Sequence, residues 1–246
     1  MLRHCQRDCV RFLSGVVSLI GRAARDVVRE DIDKMIFEQI DAGGDRNFCY
    51  LIADEASRQC AVVDPGYDTE KLSARVQELG YDVTYVLNTH GHHDHVAGNG
   101  VFRTGDTKLA AYKEAASKPD IPLDHGSELS LGGLTISALF TPGHYLDSMC
   151  FLVGDKLMTG DTLFVGCIGG TRDRDNAQTQ FHSLFDVILK LDDGIEVCPG
   201  HDYGEKPISS IGYERTTNPF LQRTNFDDFT WLKENWEAYK AEHGIP

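Results

Sequence analysis

Directly after the apolar run Val83–Leu87 the chain reads Asn88-Thr89-His90-Gly91-His92-His93-Asp94-His95, which puts four histidines and an aspartate within six residues. The run before them has the length and β-branched character of a strand, so the imidazoles gather in a short loop at a strand end. Packed there without a cation, the rings would crowd several partial positive charges into one desolvated place. With a metal, their neutral nitrogens become ligands. An adventitious surface histidine tract is the bland alternative, and the preceding strand, with Gly91 and Asp94 interrupting the run, argues against it. The isolated His4, His125, His182 and His243 carry no such signal and read as ordinary polar residues.

Such a loop needs a sheet behind it. Short apolar runs at Met35–Ile40, Phe48–Ala53 and Cys60–Val63 read as strands, and further strands are expected at Leu134–Phe140, Met149–Val153, Lys156–Met158 and Glu196–Cys198. Thr69–Leu79 spaces Leu72, Val76 and Leu79 as one helix face, with Gly80 as its C-cap. Helices are also expected over Gln178–Leu191 and Phe226–Ala241. No fixed-period repeat is visible. Strands in both halves, each followed by helices, predict a layered α/β protein with sheet inside and helices outside.

The 246 residues suit one domain. A formal charge of −14 works against phosphate backbones and anionic lipid, so neither nucleic acid nor a membrane surface is an expected partner. Seven cysteines without a CxxC pair predict free, mostly buried thiols in a reducing compartment, hence the cytoplasm. Residues 1–34 stand apart, because the first thirty carry +3 against −17 for the remainder. Their apolar stretch Phe12–Ile20 is too short to span a bilayer, and a basic amphipathic extension is preferred over a targeting peptide. The domain itself is expected over 35–246.

Three later elements join the histidine loop: Thr141-Pro-Gly-His144, Thr159-Gly-Asp161 and Pro199-Gly-His201-Asp-Tyr203, each a glycine-containing turn just after an expected strand. With them, the chain from about Met35 to Pro219 resembles the metallo-β-lactamase superfamily, whose T-H-x-H-x-D-H motif stands here as Thr89–His95. The resemblance implies an αββα sandwich with a metal centre at one edge of two facing sheets. It puts His90, His92 and His144 on one ion and Asp94, His95 and His201 on a second, with Asp161 bridging. Two ions, Zn2+ and/or Fe2+, would share a water or hydroxide beside the carboxylates Asp94 and Asp161. His93, in the variable slot of the motif, is expected to turn away. Asp64, which ends its strand, either supports the histidine loop or simply makes a turn.

Within the superfamily the chain is similar to two branches. Gly160–Cys167 and Asn218-Pro-Phe-Leu221 look like glyoxalase II, a glutathione thiolester hydrolase, whereas Arg46–Asp54 and His201-Asp-Tyr203 look like the persulfide dioxygenases. The latter resemblance would imply one Fe2+ on the positions matching His90, His144 and Asp161. Tyr203 matches a tyrosine that both branches set against the substrate, but Gly169 and Gly170 stand where those branches carry substrate-binding side chains. Arg172 and Arg174 are the nearby cations able to take an anionic group; a solvated loop paired with Asp173 and Asp175 is the plainer account of them. The aromatic stripe from Phe226 to Tyr239 reads as core packing. A metal-dependent hydrolase of thiolesters is thus expected, acting on a small-molecule thiol derivative. The iron dioxygenase and a noncatalytic metal-binding module are the alternatives.

Overall fold

The computed structural model describes residues 35–245. The extension expected over 1–34 lies outside them, with Cys5 and Cys9. Two mixed six-stranded sheets form the middle of the molecule. The first runs in chain order through β1 (Met35–Asp41), β2 (Phe48–Asp54), β3 (Gln59–Val63), β4 (Asp82–Leu87), β5 (Lys108–Tyr112) and β6 (Ile121–Leu123). The second contains β7 (Glu128–Leu131), β8 (Leu134–Phe140), β9 (Met149–Val153), β10 (Lys156–Gly160), β11 (Glu196–Pro199) and β12 (Ser209–Ser210), again side by side in sequence order.

The alternation along the strands explains why there are two sheets and not one. In β2, Tyr50 and Ile52 face the second sheet's Ile136, Met149, Phe151 and Met158, while Leu51 and Ala53 face outward. That outer face is covered by Leu72 of α1 (Glu70–Leu79), and by Phe102 of α3 (Asn99–Phe102), which follows the single-turn α2 (His93–Val96). On the far side, Leu157 and Val197 of the second sheet pack against Ile211 of α5 (Ile211–Thr217) and against Phe229 and Leu232 of α6 (Phe226–Glu234). Leu184 and Ile188, which follow α4 (Arg174–His182), complete that layer. Strands buried on both faces require helices outside them, and the result is an αββα sandwich.

The expected strands and the first helix are present, with Gly80 at φ 61° donating to Val76 and Gln77 as the C-cap of α1. The later helices differ. α4 starts at Arg174, four residues earlier than expected, because the Asp173 side chain accepts from the Asn176 N–H and caps it. It then loosens into a π turn at Ser183–Val187 and a 3-10 turn at Ile188–Lys190, so no single α-helix reaches Leu191. The expected Phe226–Ala241 helix breaks at Asn235 into α6 and α7 (Trp236–His243). The strands β5, β6, β7 and β12 and the helix α5 were not anticipated from the sequence.

Direction of travel places the site. β8, β10 and β11 run parallel to one another, because β9 lies antiparallel between β8 and β10, and β10 pairs parallel with β11. The turns bearing His144, Asp161 and His201 therefore leave the same edge of the second sheet, facing the loop that leaves β4 in the first. Cys49, Cys60, Cys150 and Cys198 are buried free thiols, and Cys167 is partly exposed.

Candidate metal centre

Seven side chains meet at that edge in two adjoining groups. His90, His92, His144 and Asp161 form one, and Asp94, His95 and His201 the other; within each, one potential ligand atom per residue lies within 4.8 Å of the rest. His92 Nδ1 stands 2.9 Å from His90 Nε2 and 3.0 Å from His144 Nε2. In the second group His95 Nε2 and His201 Nε2 are 3.3 Å apart, with Asp94 Oδ2 3.6 and 3.5 Å from them. Asp161 reaches both groups, placing Oδ2 3.4 Å from His144 Nε2 and from His201 Nε2, and Oδ1 3.3 Å from His95 Nε2.

The outward nitrogens explain the inward ones. His95 Nδ1 lies 3.0 Å from Asp64 Oδ2, His144 Nδ1 2.8 Å from the Gly170 carbonyl oxygen, and His201 Nδ1 2.9 Å from the Asp45 carbonyl oxygen. Oxygen acceptors at these positions fix the proton on Nδ1 and leave each Nε2 lone pair directed at the cluster. Lone pairs pointed at one another repel unless a cation sits between them. Asp161 Oδ1 is likewise buried without a hydrogen-bond donor, an expensive condition for a carboxylate oxygen. Burial and the neighbouring rings of His95, His144 and His92 push His90 well below the usual imidazole range. Burial also opposes charge on His95, but Asp161 and Asp64 overcome it and hold that ring well above the usual range. With an ion displacing the proton that Asp161 and Asp64 favour on His95, this set of imidazole nitrogens and carboxylates fits one or two divalent ions.

Asp64 supports the loop and does more than end a turn. At φ 46°, it accepts from the Thr89 N–H at 2.8 Å and from the Thr89 hydroxyl in addition to His95. His93 faces outward, with Nδ1 3.2 Å from the exposed Tyr67 hydroxyl. One participant was not singled out from sequence. Asn47, ahead of β2, donates to Asp94 Oδ2 at 2.9 Å and bridges by its backbone to His201. That contact joins residues 47 and 154 apart in the chain, so no local pattern announces it.

Beside the second group opens a cavity of about 560 Å3, lined by Arg46, Phe164, Cys167, Tyr203, Trp236 and Lys240 among others. Tyr203 stacks on His201 with ring centroids 4.7 Å apart, and its hydroxyl donates to Asp45 Oδ2 at 2.7 Å. The Arg46 guanidinium carbon lies 4.9 Å from the centroid of the Tyr203 ring. Arg174 is turned to α6, pairing with Asp227 at 2.7 Å and donating to the Thr230 hydroxyl at 3.1 Å, while Arg172 is exposed on the loop before α4. The two glycines differ. A Cβ on Gly169 would come within 2.0 Å of the Asp161 carbonyl oxygen and 2.8 Å of His144 Nδ1, whereas one on Gly170 would meet nothing within 4 Å. Gly169 is thus dictated by packing against the site, and Gly170 leaves room at the cavity.

Comparison with known proteins agrees with this geometry. Residues 42–106 match the family model described as the metallo-beta-lactamase superfamily. A probable polyketide biosynthesis zinc-dependent hydrolase, BaeB of Bacillus velezensis, is 33% identical over 81% of this chain and 90% of its own. The mitochondrial persulfide dioxygenase ETHE1 of Mus musculus is 31% identical over 79% of each. A hydroxyacylglutathione hydrolase of Anaeromyxobacter dehalogenans is 36% identical over 69% of this chain and 66% of its own. The crystal structure of ETHE1 from Myxococcus xanthus superposes with a TM-score of 0.77 at 35% identity, covering 82% of this chain and 91% of that one. The chain belongs to the metallo-β-lactamase superfamily, in the branch that holds glyoxalase II and ETHE1. Among the described residues no helix is long and apolar enough to cross a membrane.

Proposed function

We propose that this member of the metallo-β-lactamase superfamily is a metal-dependent hydrolase of thiolesters. The observation behind the reading is that the second donor group gives room for a second ion: Asp94, His95 and His201 converge as tightly as the first four residues do, and Asp161 lies between, a set that the dioxygenase branch also retains while holding one iron. His90, His92 and His144 would hold one ion, Asp94, His95 and His201 the other, and Asp161 both. A pair of Zn2+ or Fe2+ ions would there polarise an acyl carbonyl and lower the pKa of a water molecule.

The chain's own residues supply the rest. Tyr203 and Phe164, 5.0 Å apart and edge to face, wall the cavity next to His201. The Tyr203 hydroxyl donates to Asp45 while His201 stacks on the ring and the Arg46 guanidinium lies over it, so Tyr203 shapes the wall of the cavity and holds Arg46 beside it. Arg46 and Lys240 line the same cavity and offer cations to a carboxylate of the thiol portion, in place of the side chains absent at Gly169 and Gly170. The substrate proposed on this reading is a small thiol derivative with an anionic group; Arg172 and Arg174 do not line the cavity, and Arg174 is committed to Asp227 and Thr230.

The relatives support a second reading equally: a persulfide dioxygenase holding one Fe2+ on His90, His144 and Asp161. Elemental analysis of protein purified without added metal, paired with thiol release from thiolesters and oxygen uptake with a persulfide, separates the two. About two ions per chain with thiol release is expected; about one iron with oxygen uptake would replace the hydrolase by the dioxygenase.

A further inference from the structure

Behind the Gly169–Gly170 loop lies a second cavity of about 400 Å3, lined in part by Thr171, Ala177, Phe220, Thr230 and Lys233. Lys233 is a strange residue to find there. Its Nζ donates to the Gly169 carbonyl oxygen at 3.0 Å and to Gln180 Oε1 at 2.7 Å, and Gln180 Nε2 donates to the same Gly169 oxygen at 3.0 Å. Both acceptors are neutral, and burial pulls the amine down to about 8. Among the described residues no carboxylate pairs with it; the rings of Phe220 and Phe229, 5.9 and 5.7 Å away, and its two hydrogen bonds are what offset the cost of burying the amine.

What the two hydrogen bonds secure is visible on the other face of the loop. The Gly170 carbonyl orients the His144 ring, while Gly169 packs so closely on the Asp161 backbone and His144 that no side chain fits. Two successive glycines leave that stretch without side chains of its own to hold it. Gln180, the other corner of the triangle, is fully buried and packs on the turn before His144, where a Cβ on Gly143 would lie 2.4 Å from Gln180 Cβ. We propose that Lys233, acting through Gln180 and the Gly169 carbonyl, is a positioning residue for His144: it fixes the peptide next to the one whose carbonyl, that of Gly170, aims the His144 Nε2 into the first donor group. The inference rests on the reading of that group as a metal site.

The test uses the full chain and zinc titration against a chromophoric chelator, with Lys233→Met placed in two backgrounds. Asp94→Ala leaves the His90–His92–His144 group alone, and His92→Ala leaves the other. Lys233→Met should weaken zinc about 10-fold in the first background, the low end of losses from removing an outer partner, and by less than about 2-fold in the second. In the zinc-loaded protein the His144 Nδ1–H proton resonance should exchange faster with solvent, and Lys233→Arg should restore both readings. Should Lys233→Met not fold, Lys233→Gln, which can make one bond of the two, is expected to give a smaller loss confined to the same background. Equal weakening in both backgrounds, or a lowered melting temperature of the metal-free protein with unchanged zinc affinity, would overturn the proposal and leave Lys233 a fastener of α6. Absence of zinc binding by the unmodified protein would sink the metal reading itself; normal binding with an indifferent Lys233→Met sinks only this inference.

Discussion

At the scale of single residues, the centre is governed by which nitrogen of each histidine is occupied elsewhere. Asp64 is the most heavily used of these outer partners, since it serves the Thr89 backbone, the Thr89 hydroxyl and His95 at once. Asp64→Ala leaves buried donors unmatched, and a loss of about 3 kcal/mol in urea unfolding of the metal-free protein is expected; a loss under about 0.5 kcal/mol would mean that water replaces the carboxylate. The seven candidate ligands separate cleanly. His92→Ala and Asp94→Ala should each reduce bound metal from about two ions to about one and abolish thiolester turnover, because each removes a donor from a different group. Either variant keeping full activity with a single ion would contradict the two-ion hydrolase. All seven of these side chains were legible in the sequence, because histidine and aspartate beside glycine at successive strand ends is a chemical signal. Their anchors were not: Asp45 and Gly170 act through carbonyl oxygens, which every residue has, and Asn47 acts across a contact that no spacing encodes.

Elements were read well where periodicity was strong and poorly where tertiary contacts overrode it. β2 and β3 are continuous apolar runs and were evident. β6 is three residues with a proline in the middle, and β12 is two residues, so neither carries a pattern long enough to detect. α4 shows the same limit from the other side. Its apolar positions continue beyond His182, but the Ser183 hydroxyl donates to the Pro142 carbonyl oxygen at 2.7 Å, within the turn that leads to His144, and the regular helix ends there. The start of α4 rests on Asp173, whose carboxylate caps Asn176 at 2.8 Å. Asp173→Ala is expected to lower stability by about 1 kcal/mol, measured by chemical denaturation. A change below about 0.3 kcal/mol would show that the bonds of Arg174 to Asp227 and Thr230 hold the helix start without the cap.

Across the whole molecule, both faces of each sheet are used, and five free thiols sit in or against the resulting layers. Burial pushes Cys49, Cys60, Cys150, Cys167 and Cys198 each up to about 12 from 9.0. A thiol whose folded pKa is raised keeps its proton when the unfolded chain has lost it, so its contribution is intact below about pH 9 and is lost between about 9 and 12. Lys233, lowered to about 8, acts in the opposite sense from pH 8 to 10.5, but it is one group against five. Stability to urea should therefore fall between pH 9 and 11, by up to about 1.4 kcal/mol per pH unit for each thiol. A flat profile there would mean that the thiols ionise as readily folded as unfolded.

The division of the donors between the sheets has a mechanical result. His90 and His92 leave the first sheet, His144 and Asp161 the second; Asp94 and His95 leave the first, His201 the second. Each ion would thus be a rivet driven through both plates of the sandwich at one rim, while the opposite rim is joined by side-chain packing and by the hydrogen bonds that Gly132 and Gly133 donate to Gln59 and Asp54. Binding to the folded state alone adds about 4 kcal/mol when free ion exceeds its Kd a thousandfold. A chelator should accordingly slacken the riveted rim first, with amide exchange quickening in the segments around His90, His144 and His201 well before it does at Ile136 or Phe151. Uniform quickening through both sheets would mean that the plates do not move apart, and that the ions bind to a rim already rigid without them.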